Sequence, residues 1–361
     1  MKPRVLFVGR SRYSLPLDAP VARKWEALGR ELDVRVLATA VSGSCHDGAF
    51  HLVRDRRLGA FYALLPLQIA REVRAFDPDV VVAQSPYEAI AAAPVRGRAK
   101  LLLEVHGDWD TATRLYGSPL RRALEPASRR LARAAVRAAD AIRTVSPFTS
   151  DLVRRAGGEP TATFTTYFDV SAFTQRPPLP LPERPAALFV GVLERYKNVA
   201  GLAEAWRRAA PQLPNATLRL VGSGREKAVI ERLVAELPGQ TEWTPRLPPA
   251  EVARALDESS LLVLPSFSEG LPRVAMESFA RGRPVVGARA GGIPDIVEDG
   301  VNGVLVDPKD AGSIAAGLVR VLGDRSELER LAAGAVASSD RWLQTPEEFA
   351  LKMRELVDSV R

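Results

Sequence analysis

Two glutamates, Glu269 and Glu277, stand where the sequence passes from an apolar run to an amphipathic stretch. The run at 261–265 predicts a buried strand, and residues 266–271 read as a loop. Pro272 suits the first position of a helix, where its missing N–H costs nothing. Free amides at a helix start attract anions. The segment therefore predicts a site for a diphosphate.

The spacing of the two carboxylates fits the two ends of a larger ligand. Glu277 lies about five residues inside the predicted helix, roughly 7.5 Å along its axis, and helical side chains lean back toward the N-terminus. One carboxylate can then reach a sugar on one side of the diphosphate and the other a ribose, because a carboxylate accepts two hydrogen bonds from a vicinal diol. Two glutamates at this spacing also occur by chance, so the interpretation depends on the strand, glycine and proline around them.

The same segment resembles the donor-binding signature of the retaining glycosyltransferases of family four, the glycosyl transferases of group 1. The resemblance rests on Glu269-Gly-Leu-Pro-Arg-Val-Ala-Met-Glu277 and on three later stretches: Gly282-Arg-Pro-Val-Val, Gly291-Gly292-Ile-Pro-Asp295 and Asp299-Gly300-Val-Asn-Gly303. It implies that Glu269 contacts the transferred sugar and that Glu277 binds the ribose. It also implies that the amides of Gly270 and Leu271 hold the sugar or the diphosphate.

The stretch from Gly191 to Lys197 resembles a second feature of that family. By this resemblance Lys197 binds the donor diphosphate, where a cation stabilises the charge that grows on the leaving group. Val192 stands where the family usually has an arginine, and Arg195 is a nearby basic residue that could supply the charge. Gly222, in a glycine turn, lines the nucleoside pocket by resemblance; equally, it is a tight turn between strand and helix.

Three basic residues of the first half are further candidates. His106 follows the apolar run at 101–105, and the resemblance puts it beside the transferred sugar and the acceptor, as a polar contact or a proton carrier near neutral pH. Arg10 and Arg12 follow the first predicted strand, and the resemblance implies a loop there that contacts the donor phosphate or the acceptor. The double glycine usual in that loop is absent from this sequence.

Apolar runs alternate with amphipathic stretches along the chain, which predicts parallel sheets covered by helices on both faces. The predicted strands are 5–9, 34–40, 80–84, 101–105, 141–145, 187–193, 218–222, 261–265, 285–288 and 304–306, and the predicted helices include 21–32, 61–76 and 120–139. Five prolines between 174 and 185 interrupt the pattern and predict a linker.

The fold class is therefore α/β, with two tandem Rossmann-like, doubly wound parallel-sheet domains. The resemblance implies the GT-B architecture, in which the two domains face a cleft. We expect an acceptor-side domain at 1–173 and a domain for the nucleotide-sugar donor at 186–341. The amphipathic C-terminal helix at 346–360 is expected to pack back on one of them, the first domain being a candidate.

Composition limits the class of protein. The 361 residues are 46% apolar and 26% charged, which is typical of a soluble globular protein. The N-terminus reads as a strand start rather than a signal peptide. The single cysteine, Cys45, permits no internal disulfide, which favours a cytoplasmic location. Residues 1–180 carry 27 Lys and Arg against 18 Asp and Glu, so the first half attracts anions.

The stretch 120–139 is rich in arginine, and Arg122, Arg129, Arg133 and Arg137 fall on one helical face. This face predicts peripheral contact with an anionic membrane, on the inner membrane surface; the alternative is a solvated helix. Asp108-Trp109-Asp110 looks like the metal-binding motif of another glycosyltransferase architecture. Two nucleotide-type domains and the paired glutamates argue against that motif, and we expect no metal and no other cofactor.

These observations predict transfer of a sugar from a nucleotide-diphosphate sugar to a hydroxyl of a sugar, a lipid-linked or a small-molecule acceptor, with retention at the anomeric carbon. One alternative is a nucleotide-sugar epimerase of the same architecture. Another, which Val192 favours, is a non-catalytic subunit that binds a nucleotide sugar. A nucleic-acid partner is not expected, because no recognition motif accompanies the basic charge.

Overall fold

The computed structural model describes residues 1–43, 45–54, 58–109 and 125–361. They form two compact α/β units. The first unit contains the described residues up to Trp109, residues 125–169 and the C-terminal Gln344–Arg361, and the second contains Val170–Leu343. Each unit is built on its own sheet.

The sheet of the first unit has eight strands in the order β3-β4-β2-β1-β5-β6-β7-β8. Its neighbouring strands pair in parallel, apart from β3, which pairs antiparallel with β4. The strands are β1 (Arg4–Leu15), β2 (Asp33–Gly43), β3 (His46–Asp47), β4 (Phe50–Arg54), β5 (Val80–Ala83), β6 (Lys100–Val105), β7 (Ala141–Thr144) and β8 (Ala162–Thr163).

Helices cover both faces of this sheet. They are α1 (Ala19–Glu31), α2 (Leu58–Phe76), α3 (Pro86–Ala92), α4 (Glu125–Ala138) and α5 (Pro147–Arg155). Val5 and Phe7 of β1 belong to one buried cluster, together with Trp25 of α1. Leu6 and Val8 point to the opposite face and belong to a second cluster with α2, α3, α4 and α5. Alternate residues of one strand thus serve two cores, as in a doubly wound sheet.

Strand β1 extends beyond the predicted strand, and the expected loop position of Arg10 and Arg12 was wrong. After an irregularity in register between Val8 and Arg12, β1 continues to Leu15 beside β2. The charged residues end the apolar run in the sequence. Strand pairing, however, depends on hydrogen bonds between backbone groups, and β1 remains paired with β2 beyond the apolar run.

The second unit has six parallel strands in the order β11-β10-β9-β12-β13-β14. They are β9 (Ala186–Val190), β10 (Thr217–Val221), β11 (Thr241–Thr244), β12 (Leu261–Leu264), β13 (Val285–Ala288) and β14 (Gly303–Val306). The helices are α6 (Ser171–Thr174), α7 (Val199–Ala209), α8 (Lys227–Glu236), α9 (Pro249–Asp257), α10 (Arg273–Ala280), α11 (Ile293–Ile296), α12 (Ala311–Gly323) and α13 (Arg325–Ser338). Short 3-10 helices span Arg195–Lys197, Ala210–Gln212 and Asp340–Trp342.

Two buried arginines bind the proline-rich stretch at 174–185 to the second unit. The guanidinium of Arg281 donates to the carbonyls of Arg176 and Pro177 at 2.6 and 2.9 Å. Arg283 donates to the carbonyls of Leu179 and Pro180 at 2.8 and 3.0 Å. The carbonyls of the proline-rich stretch have no neighbouring strand to bind, and the two guanidinium groups supply the hydrogen-bond donors that they need.

The C-terminal helix α14 (Pro346–Asp358) belongs to the first unit. Its buried Phe349 joins the cluster of Trp25, and Arg354 donates to the carbonyl of Glu31 at the end of α1 at 2.9 Å. Of the helices that the structure describes, none combines the length and the apolar character needed to cross a membrane.

Candidate active site

The loop between β12 and α10 carries Glu269 at the carboxyl edge of the second sheet. Pro272 has an extended backbone and is the N-cap of α10, so the helix begins at Arg273, one residue later than predicted. In the described part of the chain, no side chain caps this helix start. The N–H of Ala275 donates to the carbonyl of Pro272 at 3.0 Å, and the positive end of the helix dipole favours an anion at this position.

Lys197 contacts Glu269 directly. Its Nζ donates to Oε1 of the carboxylate at 2.6 Å, and the two side chains are 12% and 13% exposed. The neighbouring carbonyl of Tyr196 accepts a hydrogen bond from the N–H of Phe267 at 2.8 Å. Backbone and side chain thus join the loops after β9 and β12. The side chain of Lys197 is therefore held between these two loops and does not extend into solvent.

A glycine pair supports the backbone of Glu269. Gly291 has a φ of 57°, and a Cβ there would lie 2.6 Å from the Glu269 backbone nitrogen. The N–H of Gly292 donates to the Glu269 carbonyl at 2.8 Å. Only glycine combines this backbone conformation with so close an approach. The sequence contained both glycines as part of the motif, but it did not reveal that they hold Glu269.

Glu277 is buried on α10, with 8% of the residue exposed. Nε of Arg273, one helical turn earlier, donates to its carboxylate at 2.6 Å. Burial raises the pKa of Glu277, and the charge and hydrogen bond of Arg273 partly oppose this. Further donors to the carboxylate, such as the hydroxyls of a diol, would stabilise its charged form.

Gly191 and Gly222 lie where two strand ends meet. The N–H of Gly191 donates to the carbonyl of Val221 at 2.9 Å, and a Cβ on Gly222 would lie 1.8 Å from the carbonyl oxygen of Gly191. Both glycines therefore serve a close approach of backbones. Packing accounts for them, and contact with a nucleoside stays a prediction.

Arg195, the candidate to replace the missing arginine at position 192, does not join the ion pair of Lys197 and Glu269. Val192 is 47% exposed, and Arg195 is exposed at the start of its 3-10 helix. Burial raises the pKa of Glu226, and the charge of Arg195 opposes this shift, so Arg195 acts on Glu226. Within the described residues, neither a hydrogen bond nor an ion pair joins Arg195 to Glu269.

In the first unit, His106 lies at the edge of a buried ion cluster. Glu104 accepts from Nη1 of Arg143 at 2.6 Å through one oxygen, and its other oxygen lies 3.1 Å from Nε2 of His106. Burial alone would raise the pKa of Glu104, but Arg143, His106 and Lys24 together hold it well below its usual range. Sequence reasoning missed Glu104 and Arg143; charged residues inside apolar strand runs were the available signal.

A cavity of 550 Å³ opens beside this cluster and lies entirely within the first unit. Arg10 and His106 line it, whereas Arg12 is exposed and does not. A Cβ on Gly9 would lie 1.9 Å from Oε1 of Gln84, so the glycine leaves room for that cavity-lining amide. Lys24 also lines the cavity, and sequence reasoning missed it.

Asp110 and Arg122, which belong to two of the predicted motifs, lie outside the described part of the chain, as do the other residues at 120–124 of the predicted helix. Among the described residues, no three His, Cys, Asp or Glu side chains are grouped so that they could hold a metal ion. Arg129, Arg133 and Arg137 are exposed on α4.

Solved structures define the class of this fold. The chain aligns with sucrose-phosphate synthase from Thermosynechococcus elongatus over 99% of both chains, with a TM-score of 0.80 and 19% identity. It also aligns with Anabaena HepE in complex with UDP and glucose, over 99% of this chain and 100% of that one, with a TM-score of 0.73 and 20% identity. Two parallel-sheet α/β units with these neighbours define the GT-B class, which confirms the predicted fold class.

Two family models identify the chain more closely. Glycosyltransferase Family 4 matches residues 21–164, and Glycosyl transferases group 1 matches residues 172–336. The chain therefore belongs to glycosyltransferase family four, which confirms the resemblance carried by the two glutamates.

Curated relatives match part of the chain. The sulfoquinovosyl transferase of Arabidopsis thaliana is 32% identical over 164 residues, covering 45% of this chain and 31% of that protein. The D-inositol 3-phosphate glycosyltransferase of Nocardia farcinica is 34% identical over 178 residues, covering 46% and 39%. The chain thus spans less than half the length of these relatives.

Proposed function

We propose that the protein transfers a sugar from a nucleotide-diphosphate sugar to an acceptor hydroxyl and retains the anomeric configuration. The observation that carries this proposal is the contact of Lys197 with Glu269 beside the start of α10. A cation and the positive end of a helix dipole suit a diphosphate, and a carboxylate suits the hydroxyls of a sugar. Membership of family four supports the same reaction.

The donor groups have separate roles in this proposal. Lys197 donates to the diphosphate and stabilises the negative charge that grows as the anomeric bond breaks. Glu269 accepts hydrogen bonds from the sugar, while the amides of Gly270 and Leu271 donate to the sugar or the diphosphate. Glu277 accepts from both hydroxyls of the ribose.

The remaining candidates have secondary roles in donor or acceptor binding. Gly191 and Gly222 let the backbone approach the nucleoside. Arg195 replaces the charge that Val192 does not provide. In the first unit, His106 contacts the acceptor, while Arg10 and Arg12 offer charge to phosphate or acceptor.

Retention follows if the new bond forms on the face that the leaving group departs from. The bond between the anomeric carbon and the diphosphate oxygen breaks, and the acceptor oxygen attacks from that same face. The acceptor proton passes to the departing diphosphate. We assign no covalent nucleophile, because attack from the face of the departing group requires none. No metal takes part in this scheme, because Lys197 and the helix amides balance the diphosphate charge.

The donor-alone experiment separates the candidate activities. UDP-glucose is the first donor to test, because the neighbouring Anabaena structure contains UDP and glucose. If the protein is a transferase, the donor should remain unchanged until an acceptor is added. NMR of the product should then show the same anomeric configuration as the donor. Isomerised donor without acceptor would instead identify an epimerase. Tight donor binding without turnover across many acceptors would identify a binding subunit, as Val192 suggests.

We further propose a cytoplasmic protein in peripheral contact with an anionic membrane. The single cysteine is the basis for the location. Helix α3 packs against both α2 and α4. Leu64 and Leu67 of α2 are 51% and 70% exposed, and α4 presents its exposed arginines. Each basic residue near such a surface contributes about 1 kcal/mol. Sedimentation with phosphatidylserine vesicles, but not with phosphatidylcholine vesicles, is expected; equal sedimentation with both would contradict the contact.

A further inference from the structure

Most of the side chains that line the cavity of the first unit carry a polar group. Apart from Phe7 and Phe349, every side chain that lines it carries a nitrogen or oxygen atom, including two carboxylates and two cations. An apolar ligand would leave any of these groups that is not already paired without a hydrogen bond, at a cost of about 1–3 kcal/mol for each buried group. A compound with many hydroxyls, by contrast, can pair with carboxylates, an amide and phenols.

Several of these polar groups are already paired. Both oxygens of Glu104 are engaged, one by Arg143 and one by His106. Glu88 accepts from Tyr62 at 3.2 Å and from Ser85.

Lys24 is different. Among the described residues, no group forms a hydrogen bond or an ion pair with its Nζ. The ammonium instead lies 5.1 Å from the ring centre of Trp25 and 5.4 Å from that of Phe349.

The charge of Lys24 is only partly compensated. Glu104 attracts it, but Arg143, which already holds that carboxylate, repels it. Burial lowers the pKa of Lys24 to about 8, so the amine is still mostly protonated at pH 7. The other cation of the cavity wall, Arg10, acts on Glu88, where its charge opposes the rise that burial causes in the pKa of that carboxyl group. Around Glu104, one carboxylate thus faces two cations, Arg143 and Lys24, and among the described residues no second carboxylate is shown to act on Lys24.

We infer that this cavity binds a polyhydroxylated acceptor that carries an acidic group, a phosphomonoester or a carboxylate, and that Lys24 binds this group. The inference rests on the proposed function, since it defines the acceptor of that transfer. The acid completes the charge balance around Lys24, while the remaining lining groups pair with hydroxyls. Lys24 binds the acceptor and takes no part in breaking or forming a bond.

Calorimetry on the whole chain tests this inference with paired probes. The probes are myo-inositol and its monophosphate, glucose and glucose 6-phosphate, glucuronate, and inorganic phosphate. At pH 7 at least one acidic polyol should bind ten-fold or more tightly than its neutral parent. Lys24→Met should remove that advantage and leave the neutral parent unchanged, whereas Lys24→Arg should keep it. Lys352→Met, which changes an exposed lysine of α14, is the matched control.

The pH profile gives a second readout. The charged and titratable groups around Lys24 are Glu104, Arg143, His106, Arg10 and Glu88. Above pH 7.5 a phosphomonoester is already dianionic. Affinity of the wild type for the acidic polyol should therefore fall as the pH rises through about 8, and Lys24→Arg should abolish the fall, because arginine stays charged.

A lipid headgroup and a soluble sugar phosphate share this chemistry. Vesicles of phosphatidylcholine with and without phosphatidylinositol phosphate separate the two sources. If the cavity binds a lipid headgroup, the protein should sediment with the vesicles that contain phosphatidylinositol phosphate, and Lys24→Met should abolish this sedimentation. If the acceptor is soluble, the protein should bind free sugar phosphates but not these vesicles. Equal affinity for acidic and neutral probes, no binding of any acidic probe, or acid binding that survives in Lys24→Met would overturn the inference.

A nucleoside diphosphate binding assay accompanies each variant. If the nucleotide binds and the acidic probes do not, only this inference fails. If no nucleotide binds, the proposed transferase function itself fails.

Discussion

Lys197 and Glu269, 72 residues apart in the sequence, form a 2.6 Å ion pair within the second unit. Both side chains are largely buried, and the loops that carry them are also joined through Tyr196 and Phe267. In the proposed reaction, the donor diphosphate takes the ammonium and the transferred sugar takes the carboxylate. The pair thus keeps both charges balanced until the donor arrives.

Lys197→Ala should lower kcat/KM for transfer by about 10²–10³, because one cation that stabilises leaving-group charge is lost. Steady-state release of the nucleoside diphosphate measures this change. Lys227→Ala is the matched control, since that lysine is 62% exposed and pairs with Glu231 on the surface of α8. A Lys197→Ala rate within three-fold of the wild type would contradict the assigned role.

Glu277→Gln should weaken binding of the nucleoside diphosphate by about ten-fold, because a charged acceptor of two ribose hydrogen bonds becomes neutral. Calorimetry should show the same loss for the 2′-deoxy nucleotide on the wild type, but little further loss when both changes are combined. Glu231→Gln, on the surface of α8, serves as the control. Additive losses would show that Glu277 does not contact the ribose.

Nucleotide binding should also depend on pH through Glu277. Burial raises the pKa of this carboxyl group, and the ribose contact requires the carboxylate. Affinity should therefore decrease as the pH falls, beginning at a higher pH than an ordinary glutamate would give. Glu277→Gln should lack this decrease. If the affinity of the variant fell at low pH as that of the wild type does, the pH dependence would belong to another group.

Glu104→Gln should destabilise the first unit by about 3–5 kcal/mol, because the buried guanidinium of Arg143 loses its counterion. Chemical denaturation of the whole chain measures the loss. Replacing both partners together, with Glu104→Leu and Arg143→Met, should recover most of it. A single variant as stable as the wild type would show that the pair does not contribute.

Lys24→Met should raise the free energy of unfolding at pH 7 by about 1–3 kcal/mol, since it removes a charge that burial disfavours. The folded pKa of about 8 lies below the unfolded value. Between these pH values the unfolded state binds more protons, so wild-type stability increases with pH there. The advantage of Lys24→Met should therefore shrink across that window. A destabilised variant would mean that Lys24 serves packing rather than binding.

Five of the six strands of the second unit were predictable because parallel strands buried on both faces are continuous apolar runs. The edge strand β11 was missed, because it is short and polar and two of its four residues are exposed. The start of α10 was predictable within one residue from Pro272. The contact of Glu269 with Lys197 was not, because sequence spacing says nothing about which loops meet at a sheet edge. The place of Lys24 was not predictable either: a lysine in an amphipathic helix normally extends into solvent, whereas this one lines the cavity beside the ring of Phe349 from α14.

Thermal denaturation with nucleoside diphosphates and their sugars tests the central claim most directly. A single nucleoside diphosphate and its sugar should raise the melting temperature of the wild type in proportion to the logarithm of ligand concentration. Glu277→Gln should reduce the shift for both ligands. If no nucleotide in the set changed the melting temperature, the second unit would not be a donor site, and the proposed transfer would be contradicted.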